Sequence, residues 1–388
     1  MTFFTKPLAV GALLIISTFW TSFAGTPYLM VTNPISLLAL PTIQPTQGNF
    51  SSPVINADHS VTLHLDLPSA IAVTASGDIG EYSLTKNEQN IWSVTTGPLE
   101  PAIYSYYFIV DGTQIADPVN PDKKSPTESL LTIPGNPPMP WEERDVPHGT
   151  VTPVNYESKI FNAQRRFFVY TPPGYETGTE KLPVLYLLHG YTDDDSSWTA
   201  VGKANLIADN LLADGMIKPL IIIMPYGQLN ADVTPDEAFS SEFQRNYEEQ
   251  LIKEIMPSIE KTYRVKTDSR HRGMAGISMG GMQTAYIGMN HPELFSTIGL
   301  WSSAIFDDPA VLLQRLDESS PMLKNSFAYI EIAVGEQDSL LSKSANLDEF
   351  LTIRNIEHEY VPTPGTHSWV LWRGYLISFL QKFSDTTE

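Results

Sequence analysis

The sequence of 388 residues contains no cysteine. This absence excludes disulfide bonds, thiolate metal sites, cysteine nucleophiles and lipidation of an N-terminal cysteine. Positive charge is also scarce, because 24 Lys and Arg stand against 44 Asp and Glu and the formal net charge is −20. So acidic a chain repels phosphate backbones, and we expect no nucleic-acid partner. The 42% of hydrophobic residues are enough to form the cores of about two globular domains.

A long apolar run is also missing, and the short one near the N-terminus is typical of a secretion signal. It extends from Leu8 to Trp20 and is therefore shorter than the roughly 20 residues that a membrane-spanning helix needs. It follows Lys6 and precedes Ser22-Phe23-Ala24, which places small residues where a signal peptidase cleaves. We therefore predict a signal peptide over residues 1–24, a secreted or periplasmic protein, and no stable membrane anchor. A single N-terminal anchor helix is the alternative.

Composition and periodicity divide the next part of the chain into three segments. Residues 25–52 are rich in Pro and Thr and carry no charge, which predicts a tether. Alternating apolar and polar residues, as in 61–67, recur in short runs without a helical stretch, which predicts a small β-sandwich domain over residues 53–134. Five prolines between Pro134 and Gly149 then indicate a linker over residues 135–149.

Residues 150–388 alternate between apolar runs and helical patterns, which predicts a mostly parallel sheet flanked by helices. The predicted strands are 166–170, 183–188, 220–224, 273–276, 297–301, 329–334 and 358–361. The predicted helices are 199–213, 242–263, 279–289, 342–354 and 369–383.

The sharpest local motif is Gly276-Ile277-Ser278-Met279-Gly280, which lies between a predicted strand and a predicted helix. A serine at such a tight turn is held in a strained conformation with its hydroxyl projecting outward. The flanking glycines are needed because a Cβ would clash where strand and helix approach. The motif therefore predicts that Ser278 is a nucleophile, and an ordinary glycine-rich turn is the alternative.

A serine hydroxyl is a poor nucleophile near neutral pH and needs a histidine base. Three histidines follow Ser278 in the sequence. His291 is expected at the far end of the helix that Ser278 opens, and His358 on an exposed edge of a strand. His367 lies in a loop between a strand and the C-terminal helix, where a base belongs. We predict that His367 is the base.

The base in turn needs a carboxylate that orients it. Asp338 follows a buried strand and therefore lies at the carboxyl edge of the sheet, where ligands bind in open α/β sheets. Asp307 and Asp308 also follow a strand and are the second choice, although a solvated turn before a helix explains them as well. We predict that Asp338 is the acid.

Two backbone amides are candidates for stabilising a developing oxyanion. The segment Leu188-His189-Gly190-Tyr191 ends a buried strand, and Gly190 allows a sharp turn. The amides of Tyr191 and Met279 then converge on one carbonyl oxygen. His189 is expected to be structural.

The acidic run Asp193-Asp194-Asp195 precedes a helix, and such runs complement the helix dipole more often than they bind metal. The sequence contains no HExxH motif and no EF-hand loop. We therefore predict no metal site and no cofactor.

Several segments of residues 150–383 match one family. They are Tyr170-Thr171-Pro172-Pro173-Gly174-Tyr175, Leu185 to Trp198, Gly273 to Gly281, Gly335 to Asp338 and Gly365 to Trp369. By these segments the chain resembles the esterase D-type α/β-hydrolases, particularly the feruloyl esterases of carbohydrate esterase family one. The resemblance implies an α/β-hydrolase fold and places Ser278, Asp338 and His367 on the catalytic triad.

The same resemblance places the amides of Tyr191 and Met279 in the oxyanion hole. Trp198 and Trp369 end two of the matching segments and are predicted to contact substrate. Residues 228–242 are expected to help shape the acyl pocket.

The upstream domain resembles the early-set, immunoglobulin-like domain that often precedes these esterases. Trp92, Tyr104-Ser105-Tyr106-Tyr107-Phe108 and Val110-Asp111-Gly112 followed by Asp117-Pro118 carry this match. Trp92 and Tyr104 are candidates for glycan binding, but aromatic residues on strands more often pack in a core.

Together these observations predict a secreted serine carboxylic-ester hydrolase. The resemblance implies hydroxycinnamoyl esters on plant polysaccharide, so that the partner is a carbohydrate-linked acyl ester. A siderophore (enterochelin-type) esterase and an acetylxylan esterase are alternatives with the same chemistry. A non-catalytic glycan-binding protein with a lapsed hydrolase fold is the alternative from another class.

Overall fold

The computed structural model describes residues 50–230, 233–313 and 325–387. The predicted signal peptide over residues 1–24 lies outside these ranges, as does the predicted tether apart from residues 50–52. No helix within the described ranges combines the length and the apolarity that crossing a membrane requires.

The first part of the described chain is built from short strands, and in some of them every second side chain is buried. In the strand Val61–Asp66, for example, Val61, Leu63 and Leu65 are fully buried, because a period of two places them on one face. The strands are β1 Val54–Ile55, β2 Val61–Asp66, β3 Val73–Gly77, β4 Tyr82–Ser83, β5 Thr85–Lys86, β6 Ile91–Thr95, β7 Ala102–Val110, β8 Thr113–Ile115, β9 Lys123–Ser125 and β10 Glu128–Ile133.

These strands form two sheets, which we call the β domain. One sheet has the order β1-β2-β6-β5, and the other has the order β4-β3-β7-β10-β9 with β8 paired to β7. Trp92 is buried and donates from Nε1 to the Leu67 carbonyl at 3.0 Å. Tyr104 is also buried, and its hydroxyl donates to the Glu100 carbonyl at 2.7 Å. Both aromatic residues therefore belong to the core, and the immunoglobulin-like classification stays a prediction.

The second part of the chain forms one eight-stranded sheet, and we call it the α/β domain. Its order is β11-β12-β14-β13-β15-β16-β17-β18, antiparallel through β14 and parallel from β14 to β18. This is the mostly parallel sheet that the sequence predicts. The strands are β11 Thr150–Ser158, β12 Ala163–Thr171, β13 Val184–Leu188, β14 Ile221–Pro225, β15 Arg272–Ile277, β16 Thr297–Trp301, β17 Tyr329–Gly335 and β18 Glu359–Thr363.

The helices of the α/β domain follow the predicted positions, but three of them are interrupted. The predicted helix 279–289 becomes π-helical over Ala285–Met289. The predicted helix 199–213 is split at Lys203, which has a left-handed backbone (φ 56°). The predicted helix 242–263 contains a π-helical turn over Leu251–Ile255, just before Pro257, which lacks the N–H that a regular helix needs. The described helices are α1 Ser197–Ala200, α2 Ala204–Ala213, α3 Pro235–Ala238, α4 Ser241–Gln250, α5 Met256–Thr262, α6 Met279–Thr284, α7 Pro309–Leu312, α8 Leu341–Ile353 and α9 Trp369–Thr386.

The turn between β15 and α6 is packed so closely that two of its positions have no room for a side chain. A Cβ at Gly280 would lie 2.5 Å from the His189 carbonyl oxygen and 2.8 Å from the Leu188 Cβ. A Cβ at Gly276 would overlap the Gly280 carbonyl. Strand, helix and the end of β13 therefore meet in backbone contact.

The β domain and the α/β domain share one hydrophobic core, with α9 packed against β7. Arg373 on α9 is buried at this contact and has no carboxylate in its hydrogen bonds. Its Nη1 donates to the Ile103 carbonyl of β7 at 2.8 Å and to the Trp369 carbonyl at 3.1 Å. Its Nε and Nη2 both donate to the Val201 carbonyl, at 3.0 and 2.9 Å. Burial lowers the pKa of Arg373 to about 9, so the guanidinium stays charged at neutral pH while it ties the two domains together.

The contact around Gly280 predicts that Gly280→Ala destabilises the fold. The new methyl group forces the strand end and the helix apart, and we expect a loss of about 1 to 3 kcal/mol in the free energy of unfolding. Gly374→Ala is the matched control, because a Cβ at this helical glycine meets no atom within 4 Å. It is expected to stabilise the protein by about 0.5 to 1 kcal/mol. Urea unfolding measures both, and equal stability of the two variants would contradict the packing described.

The hydrogen bonds of Arg373 predict that Arg373→Met also destabilises the fold. The variant keeps the apolar stem but leaves three buried carbonyls without their donor, which costs about 2 kcal/mol or more. Arg245→Met, at an exposed position of α4, is the control and is expected to leave the urea midpoint within the error of wild type. An unchanged midpoint in Arg373→Met would show that these bonds contribute nothing to joining the domains.

Candidate active site

Ser278 sits in the strained turn between β15 and α6. Its backbone has φ 54° and ψ −115°, a combination that costs a residue with a side chain on the order of 1 to 3 kcal/mol. Two backbone hydrogen bonds keep Ser278 in this strained conformation. The Ser278 amide donates to the Trp301 carbonyl at 2.9 Å, and the Ser278 carbonyl accepts from the Ala304 amide at 2.9 Å. The half-buried serine is thereby fixed at the carboxyl end of β15, as the glycine-flanked motif predicts.

His367 and Asp338 are joined by a hydrogen bond. His367 Nδ1 lies 2.8 Å from Asp338 Oδ2, and the Leu340 amide donates to Asp338 Oδ1 at 2.8 Å. Because the carboxylate accepts at Nδ1, that nitrogen carries the proton and Nε2 keeps the free lone pair. Asp338 follows β17 and His367 follows β18. Because these two strands are parallel, both residues lie at the same edge of the sheet.

Asp338 is ionised although its side chain is completely buried. Burial raises the pKa of this carboxyl, but the hydrogen bonds from His367, Leu340 and Ser302 and the nearby imidazole outweigh that effect. The net result is a pKa below the ordinary value.

Two further residues, which the sequence did not predict, contact the His367–Asp338 pair. The Trp372 indole packs edge-on against the His367 ring, with 4.9 Å between ring centroids. Trp372 Nε1 donates to Ser302 Oγ at 3.1 Å, and the Ser302 hydroxyl is itself bonded to Asp338. Trp372 and Ser302 come from α9 and the turn after β16, and no local pattern marks them.

Ser278 and His367 line the same cavity, which has a volume of about 180 Å³. Tyr191 and Trp369 line it as well. The cavity is closed on one side by the β domain, through Asp78, Ser105 and Lys124. The sequence did not indicate that both domains contribute to this site.

The two predicted oxyanion amides are available for a ligand. Met279 is the first residue of α6, so its amide has no acceptor within the helix. Tyr191 follows Gly190, where a Cβ would lie 3.5 Å from Ser278 Cβ. No protein acceptor in the described ranges takes a hydrogen bond from either amide.

His189 has a structural role, as predicted. The buried ring accepts from the Gly227 amide at Nε2 (2.9 Å) and donates from Nδ1 to the Gly190 carbonyl (2.8 Å). Burial lowers its pKa, which keeps the ring neutral. It therefore braces the Gly190 turn from beneath.

The three acids of the predicted helix-capping run have three different environments, which corrects the single role expected for them. Asp195 pairs with Arg166 through two bonds of 2.6 and 2.7 Å. Asp194 accepts from the amide and the hydroxyl of Ser196. Asp193 lines the cavity beside Ser278, and burial raises its pKa to about 7. No cluster of acidic or histidine side chains suited to a metal ion occurs in the part of the chain that the structure describes.

Trp198 does not line the cavity, which corrects the prediction that it contacts substrate. Its side chain is fully buried, and Nε1 donates to the Leu188 carbonyl at 3.0 Å. The ring packs edge-on against Trp369, with 4.9 Å between centroids. Trp198 therefore supports the wall of the cavity from behind.

Three of the rejected base and acid candidates are bonded elsewhere. His291 binds Glu248 and Glu293, and the largely buried His358 binds Asp348 at 2.9 Å. Asp308 accepts from the Ala310 amide and caps α7, as the solvated-turn alternative predicts.

An apolar groove of about 460 Å³ lies next to the Ser278 turn. Met282, Ala304 and Phe239 are among the residues that line it, and the Met282 and Ala304 amides both donate to the Ser278 carbonyl. Phe239 lies 6.0 Å from the Tyr191 ring and 5.4 Å from the Phe306 ring, measured between centroids. The segment 228–242, expected to shape an acyl pocket, thus contributes to this groove.

This chain is similar to a protein family and to known proteins. The esterase family model matches residues 158–383. The endo-1,4-beta-xylanase/feruloyl esterase of Xylanibacter ruminicola is 32% identical over 346 residues, covering 85% of this chain and 45% of that protein. This chain therefore spans less than half the length of that relative.

Solved structures show the same fold. A ferulic acid esterase from Anaeromyces mucronatus in complex with ferulic acid is 25% identical, with a TM-score of 0.51, over 62% of this chain and 92% of its own. The enterobactin esterase of Shigella flexneri has a TM-score of 0.64 at 18% identity and covers 84% of this chain and 92% of its own. With a family match over more than half of its length, this chain belongs to the esterase family and is a feruloyl-esterase-like α/β-hydrolase.

Proposed function

We propose that this protein hydrolyses carboxylic esters through a triad of Ser278, His367 and Asp338. The observation that carries the proposal is the 2.8 Å bond between His367 Nδ1 and buried Asp338, combined with the presence of His367 and Ser278 in the lining of one cavity. Such an arrangement activates a hydroxyl that is otherwise unreactive.

Each residue has a distinct task in this mechanism. Ser278 Oγ attacks the ester carbonyl while His367 Nε2 accepts its proton, and Asp338 offsets the charge of the resulting imidazolium. The amides of Tyr191 and Met279 donate to the oxyanion, a contribution on the order of 3 kcal/mol per donor. His367 then returns the proton to the departing alcohol. Water, activated by the same imidazole, releases the acid from the acyl-enzyme.

We further propose that the acyl group is a hydroxycinnamoyl group and that the alcohol belongs to a plant polysaccharide. The apolar groove beside Ser278 offers Phe239 and Phe306 to an aromatic acyl group. The relatives named for feruloyl ester hydrolysis support the same choice. Secretion after removal of residues 1–24 would bring the enzyme to such a substrate.

Ser278→Ala tests the proposed chemistry. We expect kcat for methyl ferulate to fall by about 10⁴-fold or more, because the nucleophile is lost while binding remains. Ser378→Ala replaces an exposed serine on α9 and is the matched control, with kcat expected at the wild-type value. Turnover by Ser278→Ala near the wild-type rate would refute the assignment.

The same assay, run on acetylxylan and enterobactin, tests the proposed acyl group. The apolar groove predicts the highest kcat/KM for methyl ferulate. Preference for either other ester would replace the hydroxycinnamoyl proposal and leave the triad intact.

A further inference from the structure

We propose that Lys124 of the β domain binds the alcohol part of the ester, so that the β domain forms the leaving-group subsite for a sugar. This inference rests on the proposed esterase function and adds a specificity determinant to it. Lys124 lies on β9, outside the segment that the family model covers. It nevertheless lines the cavity that contains Ser278 and His367.

Hydrogen bonds and an ion pair hold the side chains of the β-domain wall of the cavity in place. Asp78 Oδ2 accepts from the Ser105 amide at 2.8 Å and from the Ser105 hydroxyl at 2.9 Å, which fixes that carboxylate. Lys124 Nζ lies 2.8 Å from Glu128 Oε2, and three-quarters of its side chain is buried. An ammonium held this way keeps donors for a ligand without losing much side-chain entropy on binding.

The charges around Lys124 select the kind of ligand. Lys124 interacts electrostatically with Glu128, Asp193 and Asp78, and Arg373 also interacts with Asp78. The charge of Lys124 is thus already offset by nearby carboxyl groups, which leaves little attraction for an anionic ligand. Because burial raises the pKa of Asp193 to about 7, its carboxyl both donates and accepts hydrogen bonds near neutral pH. Fixed donors next to acceptors suit the hydroxyl groups of a neutral sugar.

The position of His367 decides which part of the ester enters this cavity. His367 must protonate the departing oxygen, so the alcohol lies on the side of Ser278 where the imidazole is. The β-domain residues line that same cavity, whereas the apolar groove lies past Tyr191 and Phe239. The acyl group is thereby assigned to the apolar groove, and the alcohol is assigned to the cavity that the β domain lines.

Two esters with the same acyl group but different alcohols test the proposal. The substrates are 5-O-feruloyl-L-arabinose and methyl ferulate, and the readout is the ratio of their kcat/KM values. For Lys124→Met we expect this ratio to fall about tenfold, through a higher KM for the sugar ester, because a charged hydrogen bond to the sugar is lost. Lys86→Met changes an exposed lysine on β5 that does not line the cavity, and its ratio is expected to match wild type.

Binding of the two esters is also compared in a variant that does not hydrolyse them. The contribution of Lys124 can then be measured even if the protein does not cleave these substrates. On the Ser278→Ala background, titration calorimetry gives the dissociation constants of both esters. A tenfold weaker affinity for the sugar ester alone in Lys124→Met supports the subsite even if the proposed acyl specificity is wrong. A ratio within twofold of wild type, or an equal loss for both esters, overturns it, the latter showing that Lys124 only supports the fold.

Discussion

The backbone contact between β15, α6 and the end of β13 is the constraint on which the rest of this site depends. Gly276 and Gly280 leave no room for a side chain there, and the chain between them has to turn within a few residues. Ser278 absorbs that turn with a positive φ, and its amide and carbonyl are both bonded to the strand and turn of β16. The strain is stored in the fold rather than created by the substrate, so the hydroxyl is positioned before any ligand arrives.

The other two members of the proposed triad depend on different physical effects. Asp338 is buried and kept ionised by hydrogen bonds, whereas one-third of the His367 side chain remains exposed. The imidazole can therefore reach a substrate while its partner is shielded from water. Trp372 and Arg373, neighbours on α9, connect this arrangement to the β domain, because one packs on His367 and the other binds the Ile103 carbonyl. Stability of the domain contact and geometry of the site thus share one helix.

Local patterns in the sequence were sufficient for much of the fold. Strand and helix periodicity located the central sheet, and the glycine-flanked motif located Ser278, because these signals arise within a few residues. Trp198 was misassigned, since its position in a matching segment does not reveal that the ring is buried behind Trp369. Asp193 and Lys124 were not recognised as cavity residues, because that depends on packing between domains that are far apart in sequence.

A fluorophosphonate probe reacts only with a serine that a nearby base activates, so labelling reports on the proposed triad itself. We expect mass spectrometry to find one phosphonate on the peptide that contains Ser278, and we expect His367→Ala to remove the label. A label on another serine, no label on the folded protein, or unchanged labelling in His367→Ala would rule out the triad.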